Sequence, residues 1–557
     1  MARSPTLVAT LILLAPFAAA AGEQPGARAH VLDGAVPALV SVDLAAGKRL
    51  TTLPLTGTPS WLVQSRDGRY LVVLDDGPGE RKGDRGYKAQ GRSSATIVDA
   101  ERFEAVGRVE LGFGLDSVLT DPQGRLVVLC PGYDAKNPAE SLPRELVIVD
   151  LATARERGRL PLEPGTDLSW QGRDGQTLAL LQGLPRTAKY PFPLSRVTLV
   201  DAAGPSVTAT LDAGGWDQVE RDGDRLYLVV LGKPDKNPQK NRNGTIDVIS
   251  PAERRIERVD VGRGPMGGFV MEGGLMAVAS EGPAGGASGE LRFLRDGKLA
   301  ATLPVAARPM WVASLAGAVY VVGAKAVTLV DPVRLEVTAT IPLAKGAEAI
   351  VDDDDRPFEL VVTPDGRRAF IHYPAQDKVA VIDLEQKKAI GSTKTGRGGK
   401  KFLNTMMAGL TYGMSGRIYF YNPGDPPQML VRPDGRFAYA LNLDTSDVTV
   451  VDAQTAQAAL KIGAGGHALA LLGPTLVVVG SELHFVDTTR NVKLDQQPVP
   501  GLVGLWSSPD KAFAVALAER SVLVLDGVTG KLRARLADFV RPTRIAFTRL
   551  APPDSSP

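Results

Sequence analysis

Cysteine and histidine are both scarce in this chain of 557 residues. Cys130 is its single cysteine, so an internal disulfide is excluded, and the apolar run before it predicts a buried thiol. Copper and d-type haem centres need several histidine ligands, whereas only four histidines occur and no Cys-x-x-Cys-His segment is present. The sequence therefore argues against redox metal centres.

Neither charge of one sign nor long apolar runs dominate the chain. The 64 Lys and Arg against 62 Asp and Glu give a net charge of +2, so nucleic acid is not an expected partner. An apolar stretch at 7–17 follows a positive start and precedes four alanines at 18–21, which predicts a signal peptide over residues 1–21. No later segment is apolar enough for a membrane span. We expect an exported protein, periplasmic or secreted; a cytosolic protein with an apolar start is the alternative.

One sequence motif recurs at least eleven times along the chain. It is a short β-branched run, usually ending in Asp, followed by a turn and by further short apolar runs. Clear copies end at Asp43, Asp99, Asp150, Asp201, Asp331, Asp383, Asp452, Asp487 and Asp526, with weaker copies at 246–249 and 291–294. A period of roughly 40 to 50 residues is that of a four-stranded propeller blade. The sequence predicts an all-β propeller of about eleven four-stranded repeats.

The turns inside the repeat support this prediction. Asp-Gly steps such as Asp365-Gly366 and Asp434-Gly435 stand between apolar runs, where glycine supplies the positive φ of a tight hairpin. The segments Arg432-Pro433-Asp434-Gly435-Arg436-Phe437-Ala438-Tyr439-Ala440-Leu441-Asn442 and Val379-Ala380-Val381-Ile382-Asp383 resemble the YVTN-type, lactonase-like repeat of bacterial propellers. The resemblance covers nearly the whole chain after the leader. It implies the fold, and a family that spans binding scaffolds, electron-transfer partners and a few lactonases.

Eleven blades exceed the usual four to eight of one ring. We therefore expect two rings, over residues 22–325 and 326–550, with an insertion at 392–427 and a flexible tail at 551–557. One large or open ring is the alternative. The last repeat has three strands, and the run His30-Val31-Leu32-Asp33 is expected to complete its blade as the missing outer strand, which would remove exposed edges.

Six long insertions interrupt the repeats at 75–94, 131–144, 183–196, 232–244, 344–357 and 392–427. The repeat puts its short hairpins on one face of the disk and these longer links on the other, which favours a binding face over tolerated loop growth. The first four insertions hold 14 Lys or Arg against 7 Asp or Glu.

Aromatic and cationic side chains together suit glycans, peptides or anionic polymers, because rings stack and polar groups orient the ligand. The candidate ligand-binding residues are Tyr87, Tyr133, Lys136, Lys189, Tyr190, Trp216, Lys236 and Arg242. Solvated turn lysines are the plainer interpretation of the basic ones. Five tryptophans (Trp61, Trp170, Trp216, Trp311 and Trp506) recur near one strand of the repeat, where packing between blades is favoured over ligand contact.

Metal and catalytic sites have weaker support. The run Asp352, Asp353, Asp354 and Asp355 could hold Ca²⁺, although consecutive carboxylates point in different directions and a solvated acidic loop is favoured. No other cofactor is predicted. His372 and His467 are the weak catalytic candidates for a lactonase-like hydrolase acting at a propeller channel.

Two functions remain open from sequence. The favoured one is an exported, non-catalytic propeller that binds a protein, glycan or envelope polymer through its long loops. The alternative is the hydrolase.

Overall fold

A computed structural model gives the fold of the chain. It describes residues 27–81, 87–132, 141–173, 175–184, 194–216, 218–230, 243–263, 265–271, 273–282, 288–307, 309–323, 325–343, 359–373, 377–396, 419–420, 428–442 and 445–548. The regular structure of these residues is β-strand. It forms eleven sheets that each have four antiparallel strands, one of them with an added fifth strand, and one separate two-stranded sheet. Each of the eleven sheets is one blade, and blades are numbered here in chain order.

The first six blades have the following strands, from the innermost to the outer one. Blade 1 has Pro542–Thr548, Arg28–Asp33, Ala38–Asp43 and Lys48–Pro54; blade 2 has Pro59–Gln64, Tyr70–Asp75, Ser94–Asp99 and Glu104–Glu110; blade 3 has Ser117–Thr120, Arg125–Cys130, Arg144–Asp150 and Arg155–Leu162. Blade 4 has Thr166–Gln171, Thr177–Gly183, Ser195–Asp201 and Ser206–Ala213; blade 5 has Gln218–Arg221, Leu226–Val229, Asn243–Ser250 and Arg255–Arg263; blade 6 has Pro265–Val270, Met276–Ser280, Gly289–Arg295 and Lys298–Val305.

The remaining five blades follow the same order. Blade 7 has Pro309–Leu315, Ala318–Gly323, Ala326–Asp331 and Glu336–Pro342; blade 8 has Glu359–Val362, Arg368–Tyr373, Lys378–Asp383 and Lys388–Lys394; blade 9 has Met429–Val431, Phe437–Asn442, Asp447–Asp452 and Ala458–Ile462. Blade 10 has Ala468–Leu472, Thr475–Val479, Glu482–Asp487 and Val492–Pro498, and blade 11 has Gly504–Ser507, Phe513–Ala518, Ser521–Asp526 and Leu532–Leu536.

Burial decreases within each blade from the second strand to the outer strand. In blade 3 all six residues of Arg125–Cys130 are buried, whereas the first three residues of the outer strand Arg155–Leu162 are exposed. Strands buried on both faces are continuous apolar runs, which is why these stretches stand out in the sequence. The recurrent Asp-ending run is the third strand of its blade, so the sequence repeat begins inside one blade and ends inside the next.

The recurrent Asp shapes the turn between the third and outer strands. In nine blades its carboxylate accepts a hydrogen bond from a backbone N–H two or three residues further on. The N–H groups of Arg334 and Val333 hold the pKa of Asp331 below its usual value in this way. The Asp of the repeat therefore has a structural role.

Eleven apolar core clusters fill the spaces between the blades. Each one joins two consecutive blades, and the series closes on itself, because one cluster joins blade 11 to blade 1. The expected division into two rings is wrong. The predicted break near residue 325 lies between two paired strands of blade 7, and blade 7 shares a continuous core with blade 8. The chain forms one ring of eleven blades.

The two ends of the described chain close this ring in one blade. Arg28–Asp33 pairs antiparallel with Pro542–Thr548, with Val31 opposite Ile545, as the sequence predicted. The expected position of the N-terminal strand was wrong, however. Arg28–Asp33 is the second strand, since the chain continues outwards through Ala38–Asp43 and Lys48–Pro54. The predicted signal peptide at 1–21 and the predicted tail at 551–557 lie outside the described residues.

Blade 7 carries a fifth strand on its inner edge. Tyr419–Phe420, from the insertion between blades 8 and 9, pairs in parallel with Trp311 and Val312 of the innermost strand. Part of this insertion therefore turns towards the ring axis.

No helix long and apolar enough to cross a membrane occurs in the part of the chain that the structure describes.

Candidate functional site

The two faces of the ring differ in their connections. Because each blade is an antiparallel meander, the links from second to third strand and from outer strand to the next blade emerge on one face, here called the loop face. The short turns lie on the other, here called the turn face. All six insertions start and end on the loop face, and four of them belong to the consecutive blades 2 to 5.

Most candidate binding residues lie in those insertions. Tyr133, Lys136, Lys189, Tyr190, Lys236, Arg242 and the run Asp352, Asp353, Asp354 and Asp355 fall outside the described residues. Tyr87 begins a short strand, Tyr87–Ala89, that pairs with Gly79–Arg81 in the insertion of blade 2. The insertion of blade 2 thus contains a small hairpin.

The tryptophans pack within the ring. Trp311 is fully buried and Trp170 nearly so, while Trp61, Trp216 and Trp506 are half-buried against neighbouring core clusters. Trp216 lies on the loop face at the link into blade 5. Trp170 belongs to the turn face, since its indole N–H donates to the carbonyl of Asp222 at 2.8 Å.

The two candidate catalytic histidines lie on different blades. His372 is in the second strand of blade 8, is 1% exposed, and has its pKa lowered to about 4 by burial, so it is neutral at pH 7. His467 is exposed on the link into blade 10, and its backbone N–H donates to the carbonyl of Val479. The structure does not bring these two side chains together.

His372 instead lies opposite a buried acid, Glu359, on the neighbouring strand of blade 8. The Glu359 carboxylate accepts hydrogen bonds from the backbone N–H groups of Gln428 at 3.1 Å and Met429 at 2.7 Å. Burial nevertheless raises the pKa of Glu359 to about 7. Glu359 therefore holds the end of the long insertion before blade 9. In the sequence, Glu359 stands four residues after the acidic run 352–355, and its position there gives no sign of this role.

In other blades, side chains hold the link that leads in from the outer strand of the preceding blade in a similar way. Asp33 accepts the N–H groups of Val540 and Arg541, Asp75 that of Thr58, and Asp247 that of Gly214. Cys130 Sγ takes this place in blade 3, where it accepts the N–H of Gly112 at 3.2 Å. Burial raises the pKa of Cys130 to about 12, so the thiol is a packed structural group.

Arginines of the outer strands pair with two buried acids near these links. Arg258 donates to Asp247 through Nε and Nη2 at 2.6 and 2.8 Å, and Arg159 pairs with Glu145 at 2.6 Å. The described rim beneath the insertions of blades 3 and 5 therefore carries paired charges. The excess of Lys and Arg belongs to the sequence of the insertions.

Buried polar atoms without a partner concentrate on the loop face. Within the described part of the chain, such atoms at loop-face strand ends or links belong to Ser195, Arg196, Arg263, Ser280, Trp311, His372, Tyr373, Thr395, Gln428 and Thr445. Gln171 and Arg368 are the turn-face examples, and three further residues lie within their strands: His30, Arg292 and His484. Buried donors and acceptors are normally satisfied, so an excess on one face indicates groups that still need a partner. Among the described residues, no cluster of three or more His, Cys, Asp or Glu is placed to hold a metal ion.

The chain matches no family model and no curated protein. Solved structures similar to it include one described as the eukaryotic initiation factor, 10% identical, covering 94% of this chain and 99% of that one at a TM-score of 0.42. AztD of Citrobacter koseri is 10% identical over 76% of this chain and 97% of its own, with a TM-score of 0.29. The dihydro-heme d1 dehydrogenase NirN in complex with DHE is 14% identical over 81% and 72%, with a TM-score of 0.33. Similarities at this level carry no argument about activity or partner.

Proposed function

We propose that this chain is an exported, non-catalytic scaffold that binds a macromolecular partner of the cell envelope, a protein or an anionic or glycan polymer, through its loop face. The observation that carries the proposal is the difference between the two faces. Loop-face links are lengthened in four consecutive blades, and partnerless buried polar groups collect on that face. The resemblance to the YVTN-type repeat supports an envelope setting, and the predicted signal peptide at 1–21 supports export.

The rigidity of the ring suits this role. Eleven interblade cores and a shared first blade fix the strand ends from which the insertions emerge. Loops on a rigid support can present binding groups without ordering the scaffold at the moment of binding. The basic excess of the first four insertions favours an anionic partner, whose attraction weakens as salt screens the charges.

A matched pair of triple variants tests the proposal. Lys136, Lys189 and Lys236, which belong to insertions that start and end on the loop face, are replaced together by Ala. The control replaces Lys48, Lys298 and Lys531, which are exposed on the turn face at the start of outer strands. Sedimentation with an envelope fraction is measured at low and high salt.

The proposal expects the loop-face variant to bind several-fold more weakly at low salt and to show a smaller salt dependence than the unmodified protein. The turn-face variant should bind as the unmodified protein does, and both variants should unfold at nearly unchanged temperatures. Equal loss in the two variants, or no binding to any envelope fraction, would count against the loop face.

A further inference from the structure

One edge of the guanidinium group of Arg263 is buried. Its Nε and Nη2 atoms have no hydrogen-bond partner within the described part of the chain. These two nitrogens point the same way, so they can donate two parallel hydrogen bonds to a single carboxylate, sulfate or phosphate group.

Five other arginines among the described residues bind a carboxylate through this same edge: Arg157, Arg159, Arg258, Arg432 and Arg533. Arg157 donates to Asp150 at 3.1 and 2.6 Å, Arg258 to Asp247 at 2.6 and 2.8 Å, and Arg533 to Asp526 at 2.9 and 2.6 Å. Arg258 and Arg263 share one outer strand. The difference is that no carboxylate of the described residues faces the Nε and Nη2 edge of Arg263.

The backbone around Arg263 is shaped to bring a second arginine close. Gly262 has a φ of +82°, and a Cβ atom there would lie 2.4 Å from Nη1 of Arg292. The Arg292 guanidinium therefore packs against the residue that precedes Arg263. A strand irregularity at this point, between Asn243 and Thr245 of the paired strand, provides the bend.

Two further donors without an acceptor lie at this junction of blades 5 and 6. Arg292 donates from Nη2 to Glu290 at 2.8 Å, but its Nε has no partner. Ser280 is opposite Glu290 in the sheet, is fully buried, and has a partnerless Oγ. Pro265, two residues after Arg263, pairs with Ser280, so all three side chains belong to one end of the junction.

Among the described residues, the ion pairs of this junction involve Arg292 and not Arg263. Glu290 and Asp260 both lie near Arg292, at 2.8 and 3.6 Å, whereas Arg263 forms no ion pair with a described residue. A buried guanidinium edge is costly unless it is paired, and an oxyanion supplies both the charge and the two acceptors.

We propose that Arg263, together with Arg292 and Ser280, forms an oxyanion-binding site on the loop face between blades 5 and 6. Its ligand is a carboxylate, sulfate or phosphate group carried by a small molecule or by the partner. This deepens the proposed function, on which it rests for the identity of a macromolecular ligand, because it names one chemical group that the loop face recognises.

The test titrates the full chain with acetate, sulfate and phosphate at constant ionic strength, made up with sodium chloride. Binding is followed by calorimetry and by the unfolding temperature, which a ligand of the native state raises. At least one of the three anions should stabilise the protein beyond chloride, and the preferred anion separates a carboxylate ligand from a sulfate or phosphate ligand.

Variants locate the binding. Arg263→Gln should weaken binding of the preferred anion by at least about tenfold, which is the loss expected from one charge-assisted hydrogen bond. Arg263→Lys keeps the charge without the paired donors, so it should also bind more weakly and serves if the glutamine variant fails to fold. Arg255→Gln is the matched control, because Arg255 begins the same outer strand on the turn face and pairs with Glu253 and Glu257.

The site is overturned if none of the three anions acts beyond chloride, or if Arg263→Gln binds as the unmodified protein does. Either result leaves the loop-face function to be decided by the lysine variants, which do not alter Arg263. Loss of anion binding in Arg263→Gln with normal binding in Arg255→Gln supports the site.

Discussion

The imidazole Nε2 of His30 and the hydroxyl of Thr548 form a hydrogen bond between residues that are 518 positions apart. This contact joins the second strand of blade 1 to its innermost strand, and so joins the two ends of the ring. Val31 and Ile545 pack in the core between blades 11 and 1. Closure of the ring therefore depends on the last strand of the chain.

Removal of residues 542–557 should open the ring. The deletion leaves Arg28–Asp33 with an unpaired edge and exposes the core between blades 11 and 1, so the unfolding temperature should fall by at least several degrees and aggregation should increase. Removal of 551–557 alone is the control. Equal unfolding temperatures of the two truncated proteins would contradict closure through this strand.

Glu359 should make stability depend on pH near neutrality. Its pKa rises from 4.5 to about 7 on folding, so its protonated form suits the folded state. Its contribution is fully present below pH 4.5 and is lost as pH rises through 7, a change of about 3 kcal/mol. Denaturant unfolding at pH 5 and pH 8 should show this loss in the unmodified protein and much less of it in Glu359→Gln.

The glutamine can still accept the N–H groups of Gln428 and Met429, which separates the charge from the hydrogen bonds. Buried His372 has a lowered pKa and acts in the opposite direction at acid pH, but it is present in both proteins and cancels in their difference. A difference between the two proteins that is the same at pH 5 and pH 8 would contradict this assignment.

The Asp of the repeat should matter for stability and not for binding. Asp526 accepts the N–H groups of Val528 and Thr529 and pairs with Arg533. Asp526→Ala should lower the free energy of unfolding by about 1–2 kcal/mol, measured with denaturant. Asp526→Asn should lose less, because its amide oxygen still accepts the turn N–H groups. An unchanged unfolding free energy in the alanine variant would show that the turn does not need the carboxylate.

The blades could be predicted from sequence because their cause is local. Runs such as 146–150 are apolar on both sides since they lie between two cores, and the Asp at the end satisfies the next turn. Eleven repeats were predicted and eleven blades are found. The pairing of 30–33 with the last strand also followed, because the last repeat lacked a strand.

The number of rings could not be predicted in the same way. A blade presents the same apolar surfaces to its neighbours in a small ring or a large one, and the core that joins Trp311 of blade 7 to Ile371 of blade 8 is formed by residues from two repeats. The roles of Glu359 and Arg263 were also missed. The role of Glu359 depends on its contact with the link into blade 9, and that of Arg263 depends on the lack of a described partner between blades 5 and 6. The spacing of residues in the sequence gives no signal of either.

Hydrogen exchange of the full chain, alone and with the binding envelope fraction, tests the central claim most directly. The loop-face links of blades 2 to 5 should exchange more slowly in the complex, while the turns that follow Asp43, Asp331 and Asp526 should exchange at unchanged rates. Protection confined to those turns or to the outer strands would contradict a loop-face binding site.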